Sequence, residues 1–381
     1  MRLRGLTRRA IIHVGMPRTG STTFQHILAH ARDGLEEAGI LYPDLTPHSA
    51  RAKPHISHQH FGETLDGRRP RHERTELLHR LSQRLARSDC DVVIVSYEDF
   101  FEQQARFRVP YLLNSFFAQH GFTAEALVVV KPQSEFLNSI FTLRTLLMRE
   151  RRGFAHFTKT HIGSGRLDYD QRIQPWMAEL SGRVHALPVR DRRFPKTPLV
   201  SRMLTALGLE QRVTSLIAQG ELQRVENRSP GPVAVEISRR LRATRTHARL
   251  RVLPRDMMEV VRKLTWARGY DRERFNGIWP ELRTGLANRY KETNDRFARA
   301  VWSAGWDDIV APERPRPVNE LMPGRIDTET ESAIAEVIAQ ASQQFAVTPR
   351  RSALDDPLNL LGEQLEALQR RLGVWSLSRV V

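Results

Sequence analysis

Gly15-Met16-Pro17-Arg18-Thr19-Gly20-Ser21-Thr22 is the stretch on which the reading of this 381-residue chain turns. Ahead of it, residues 10–15 (AIIHVG) form a short apolar run that predicts a buried strand. Behind it, residues 23–35 (TFQHILAHARDGL) place Phe24, Ile27, Leu28 and Ala31 on one helical face. A strand, a glycine-bearing loop and a helix in that order make a cradle for an anion. Glycine lets the backbone curl so that successive N–H groups face one point, and the helix start adds the positive end of its dipole. A Walker A loop carries lysine after its second glycine to meet a nucleoside triphosphate. Here that position is Ser21, and the cation sits inside the loop at Arg18. The loop suits phosphate but not the hydrolysis of a Mg-bound triphosphate.

Residues 39–43 (GILYP) close this unit with a short extended piece. Residues 46–70, rich in His, Arg and Pro, predict an irregular loop with little core. Further on, a helix is expected over 73–87, strands over 91–96, 126–130 and 184–189, and a long helix from about 134 to 150. Residues 195–310 read as mainly helical. Continuous β-branched strands alternating with helices predict a parallel sheet buried on both faces. The expected fold is α/β: a P-loop three-layer core with a central parallel sheet flanked by helices, plus a helical C-terminal extension. The expected domains are a core over 1–312, a proline-rich linker over 313–325 and the extension over 326–381. In that extension Leu354, Leu358, Leu361, Leu365, Leu368, Leu372 and Trp375 alternate spacings of four and three, an a/d seam. The seam reads either as a helix packed on its own domain or as a surface for homo-oligomer assembly. Pro357 and Gly362 weaken the coiled-coil reading.

Net charge is +16, and of the 59 basic residues only 6 are lysine. Such an excess favours anionic partners. No zinc-finger spacing, RNA-recognition motif or helix-turn-helix accompanies it, so no nucleic-acid partner is expected. Cys90 is the single cysteine, which excludes an intrachain disulfide and a cysteine-rich zinc site. It precedes a buried-looking strand and reads as a small buried thiol. No apolar run of about 18 residues occurs, so no membrane span is expected. The basic start MRLRGLTRRA leads into a short apolar run and not into a signal-peptide core, which gives a cytoplasmic expectation.

Residues 13–25 (HVGMPRTGSTTFQ) resemble the 5′-phosphosulfate loop of sulfotransferases that use PAPS (3′-phosphoadenosine-5′-phosphosulfate), P-[KR]-[ST]-G-[ST]-[ST]. The likeness is to the bacterial branch akin to heparan-sulfate-type enzymes. There the loop helix ends in G-[IV]-x-Y-P, as residues 39–43 do here. The resemblance implies that Pro17, Arg18, Thr19, Gly20, Ser21, Thr22 and Thr23 bind the 5′-phosphosulfate through backbone N–H groups and hydroxyls. It implies a second element, R-x7-S, that reads the 3′-phosphate where a strand gives way to a helix. Lys131 and Ser139 occupy it, with lysine in the arginine position. Ser96–Phe100 (SYEDF) is similar to the family's S-[SY]-E-x-[FL] strand, which would put Glu98 at a strand end near the site. Asn227-Arg228-Ser229 and Tyr290-x3-Asn294-x-Arg296-Phe297-Ala298 resemble later family elements, so the likeness covers roughly 9–310. Arg18 stands where the family usually has lysine; it stabilises charge but does not readily donate a proton.

The activity so implied is transfer of a sulfuryl group from PAPS to an acceptor hydroxyl, with PAP as product and no metal. A glycan or glycolipid is the acceptor that the family analogy suggests. Such a step needs a base on the acceptor oxygen. Candidates are His60 and His58 in the run Pro54–Phe61, then Glu98 and Glu63. The same run, H-x2-H-x-H, also reads as a partial zinc site or as solvated loop histidines. Two rivals stand beside the transferase: a P-loop kinase, against which Ser21 counts, and a catalytically weak nucleotide-binding protein.

Overall fold

The computed structural model describes residues 8–47, 55–102, 107–217, 229–250, 252–322 and 324–347. The run around AIIHVG forms β1 (Arg8–Gly15), buried throughout from Ala10 onward. Past the loop, α1 (Ser21–His30) and α2 (Arg32–Glu37) replace the single helix expected over 23–35. The chain turns at Ala31, which lets Leu35 drop into the core with no exposed surface. Gly39, at φ +80°, then turns the backbone into β2 (Ile40–Leu41).

The stretch 46–70 is not the coreless loop that its composition suggests. It contains α3 (Gln59–Leu65), whose Phe61 and Leu65 lie four apart on one face and are buried. A Cβ on Gly62 would stand 2.0 Å from the Tyr97 ring, so only glycine allows this approach. After α4 (Arg71–Arg87) comes β3 (Val92–Ser96), in agreement with the strand expected over 91–96. Residues Glu98–Glu102 form a 3₁₀ turn that buries both Phe100 and Phe101. Next are α5 (Val109–Gln119), β4 (Phe122–Val130), α6 (Gln133–Leu146), α7 (Phe154–Ile162), α8 (Tyr169–Glu179) and β5 (Val184–Pro188).

The middle of the chain is helical as expected: α9 (Leu199–Ala206), α10 (Glu210–Thr214), α11 (Pro232–Ala243), α12 (Thr246–Arg249), α13 (Pro254–Ala267) and α14 (Pro280–Trp302). A short α15 (Trp306–Ile309) and then α16 (Thr328–Val347) follow. The leucine seam at 354–375 and Asn227-Arg228 lie outside the described residues. Among the described residues, no helix is long and apolar enough to cross a membrane.

The α/β expectation holds. All five strands are parallel and run β2-β3-β1-β4-β5 across one sheet. Alternate residues Ile11, Ile94, Leu127 and Val129 pack with α1, α9 and α10 on one face. Their neighbours Ile12, Val95 and Val128 point to the other face, where α5 covers β4 with buried Leu113 and Phe117. The connection leaving β1 runs past β3 to β2, whereas the one leaving β4 runs the other way to β5. In an open parallel sheet such a divergence opens a crevice at the carboxyl ends of the two strands. Here that crevice lies between the exits of β1 and β4.

The chain gathers into two compact units. The sheet belongs to the first, made from Met1–Ile140, Ala155–Arg228 and Gly277–Val318. The second takes Phe141–Phe154, Ser229–Asn276 and Asn319–Val381, and its core packs Ile237 and Leu241 of α11, Met257 and Val261 of α13, and Ile334, Val337 and Ala341 of α16.

Two glycines test this description. A Cβ on Gly15, at φ +128°, would lie 2.1 Å from the Glu98 carbonyl oxygen, whereas Gly121, at φ +75°, has nothing within 4 Å. Gly121→Ala is expected to cost about 1–2 kcal/mol from backbone strain alone. Gly15→Ala should cost at least about 3 kcal/mol, since backbone must move. Denaturant unfolding of both variants measures the difference.

Candidate functional site

The crevice is floored by the loop after β1. Met16 N–H donates to Val129 O at 3.1 Å, which hooks the loop onto β4. Arg18 and Gly20 are both left-handed, at φ 65° and 85°. Turns of this kind bend backbone N–H groups toward a common point. No side chain caps α1, and the helix's own ladder starts only with Phe24 N–H donating to Gly20 O. The N–H groups ahead of Phe24 stand outside that ladder, at the positive end of a ten-residue helix.

The hydroxyls are used differently from the sequence expectation. Thr19 Oγ1 and Ser21 Oγ donate to Met16 O at 2.5 and 3.3 Å, and both side chains are buried. A hydroxyl has one hydrogen and a phosphate oxygen only accepts. These two side chains therefore hold the curl of the loop. Pro17 is buried, Gly20 is exposed, and Arg18, Thr22 and Thr23 are half-buried along the rim.

Lys131 follows β4 directly and is 6% exposed. Its Nζ donates to Arg18 O at 2.9 Å and to Ser139 Oγ at 2.7 Å. Ser139 in turn donates to Glu135 O, so its oxygen faces the amine as an acceptor. Burial, reinforced by the Arg18 and Arg190 charges, brings the Lys131 pKa down to about 7. The two residues of the K-x7-S spacing thus meet, and their amine also grips the loop.

Glu98 stands at the other side of the loop. Its carbonyl packs where Gly15 lacks a Cβ, and its carboxylate accepts the Gln25 amide at 2.9 Å. Gln25 is buried in α1, and the same amide nitrogen donates to Ser96 Oγ at 3.0 Å. Ser96 Oγ lies 2.7 Å from Nδ1 of His13, a fully buried ring whose pKa burial lowers to about 3. Burial pushes the Glu98 carboxyl up, against the pull of Gln25. A carboxylate raised in this way is better matched to proton abstraction near neutrality.

The two histidines are bonded away from the loop. His58 accepts Ser96 N–H on Nδ1 at 2.8 Å and donates from Nε2 to Pro43 O at 2.7 Å. Both nitrogens are occupied and burial lowers its pKa to about 4, so the ring clasps the end of β3 to the Pro43 segment. His60 is buried with Nε2 2.6 Å from Glu73 on α4. Two residues along α3, Gly62 faces Tyr97, and residues two apart on a helix face different ways. His60 is therefore turned toward α4. Glu63 is likewise taken, accepting from Gln59 and Arg69 at 2.7 Å each. Among the described residues, no three His, Cys, Asp or Glu side chains are grouped to hold a metal ion.

Sequence reasoning missed Gln25, Ser96 and His13. The available signal was a glutamine on the buried side of α1, among Phe24, Ile27 and Leu28. It also missed a cleft of about 420 Å³ past β5, lined by Arg190, Arg192, Phe194, Thr197 and Leu199. Leu199 touches the loop at Gly20, and Arg190 pairs with Glu135 of α6. Compared with the known families, the curated proteins and the solved structures, the chain matches none.

The buried rings predict a pH effect. Below the unfolded value of 6.5, the unfolded chain takes up protons that folded His13 and His58 refuse until about 3 and 4. Stability should fall with pH through that window, by about 1.2 kcal/mol per ring between pH 7 and 5.5. Urea unfolding at the two pH values should therefore differ by about 2.5 kcal/mol, and equal stabilities would contradict the neutral-ring assignment.

Proposed function

We propose that this chain transfers a sulfuryl group from PAPS to an acceptor hydroxyl of a carbohydrate or glycolipid, releasing PAP. The observation that carries the reading is the Lys131 amine between Arg18 O and Ser139 Oγ. It joins the two segments that resemble the 5′- and 3′-phosphate elements at the divergence between β1 and β4.

On this reading, the uncapped start of α1 and the loop N–H groups hold the 5′-phosphosulfate. Lys131 and Ser139 meet the 3′-phosphate, and the cleft at Phe194 and Arg192 offers the nucleoside an aromatic edge and a cation. The acceptor oxygen attacks sulfur while the sulfur bond to the bridging oxygen breaks. Glu98 takes the acceptor's proton, and the electron pair leaves with PAP. Arg18 stabilises the charge that grows on the bridging oxygen but keeps its own proton. Glu98 is preferred to His58 and His60 as base because it alone of the three abuts the loop.

Titration calorimetry with PAP, against AMP and ATP, tests the donor. PAP should bind at about micromolar Kd, and Arg18→Ala should weaken it about tenfold. Glu98→Gln should keep PAP binding but slow PAPS turnover on a carbohydrate acceptor panel by about 10²–10⁴. Absence of PAP binding by folded protein would sink the proposal. Binding with no turnover on any acceptor would favour the nucleotide-binding rival.

A further inference from the structure

The hydrogen count at Lys131 has a consequence for binding. A neutral amine has two N–H groups, and an ammonium has three. Both acceptors present, Arg18 O and Ser139 Oγ, are at hydrogen-bonding distance, and together they use both N–H groups of the neutral form. Ser139 donates its own hydrogen to Glu135 O, so it does not compete as a donor toward the amine. Among the described residues, no carboxylate forms an ion pair with Lys131. A third N–H would be a buried charge without an acceptor, which costs free energy unless an anion arrives.

The neighbouring charges pull in both directions. Arg18 from the loop and Arg190 from beyond β5 oppose protonation, while Glu135 of α6 and Glu313 beyond α15 favour it. Both acids are engaged elsewhere. Glu135 pairs with Arg190 and accepts Glu313 N–H at 2.6 Å, and the Glu313 carboxylate lies 3.4 Å from Arg316. The Tyr169 hydroxyl of α8 donates to the Lys131 carbonyl and leaves the amine untouched. Burial is the largest influence, and the net effect leaves the amine near half-protonation at neutral pH.

We infer that the site takes up a proton when it binds its phosphate ligand: Lys131 Nζ collects H⁺ from solvent, and the new N–H points at the bound phosphate. This rests on the proposed PAP site. An arginine at this position would stay charged throughout and would bind without that exchange. Affinity should therefore fall as pH rises above neutrality, by up to about tenfold per pH unit until the bound form also titrates.

Calorimetry with PAP at pH 8, in buffers of different ionisation enthalpy, reads the uptake directly. Phosphate monoesters have a second pKa of about 6, so at pH 8 the ligand is fully ionised and contributes little. The slope should show uptake approaching one proton, and Kd should rise about tenfold between pH 7.5 and 8.5. Lys131→Arg should bind PAP with no uptake and a flat pH profile over that range. PAP binding by the wild type with no buffer dependence would overturn the proton linkage and leave the PAP reading standing. Failure to bind PAP at all would remove both. The wild-type protein decides either way, even if the variant does not fold.

Discussion

A buried amine 2.9 Å from a loop carbonyl holds the exit of β1 against the exit of β4. The sheet alone aligns these strands up to their last residues and says nothing about the backbone beyond. There the chain must turn, and its peptide groups need partners. Met16 finds Val129, Thr19 and Ser21 close on Met16, and Arg18 O finds Lys131. Two carbonyls of the loop, Met16 O and Arg18 O, are satisfied in this way, which fixes its curl.

The surroundings of the loop are polar yet buried, so they act as fixed spacers. Gln25 holds Ser96 and Glu98 at once, and His13 backs Ser96 from the strand below. On the other side, Gln133 and Asn294 exchange amide hydrogen bonds at 2.6 and 3.1 Å, pinning α14 to the start of α6. Paired amides have no charge to titrate, so this support is the same on either side of neutral pH.

The sequence announced the sheet because β-branched runs such as residues 126–130 have one stable use, a strand covered on both faces. The loop was legible for a similar reason, since glycine at 15 and 20 frames a turn few other residues can make. What escaped was set by contacts distant in the chain. Nothing local says that Thr19 and Ser21 turn inward, because their acceptor is chosen by the loop's own curl. His58 and His60 looked alike in composition, but one meets Pro43 and Ser96 and the other Glu73. The helix α3 was hidden by its His- and Arg-rich flanks, and its key residue, Gly62, carries no side chain to read.

The second unit is assembled from three separated stretches of chain, the last beginning at Asn319. On the ribosome, α11 and α13 emerge long before α16, and their apolar faces at Ile237, Leu241, Met257 and Val261 have no cover until Ile334, Val337 and Ala341 arrive. The first unit's sheet is complete by residue 188, but that unit still needs Gly277–Val318, which is made after α13. Each unit therefore waits for a late stretch of chain, Gly277–Val318 for the first and α16 for the second, so neither closes until most of the chain has been made.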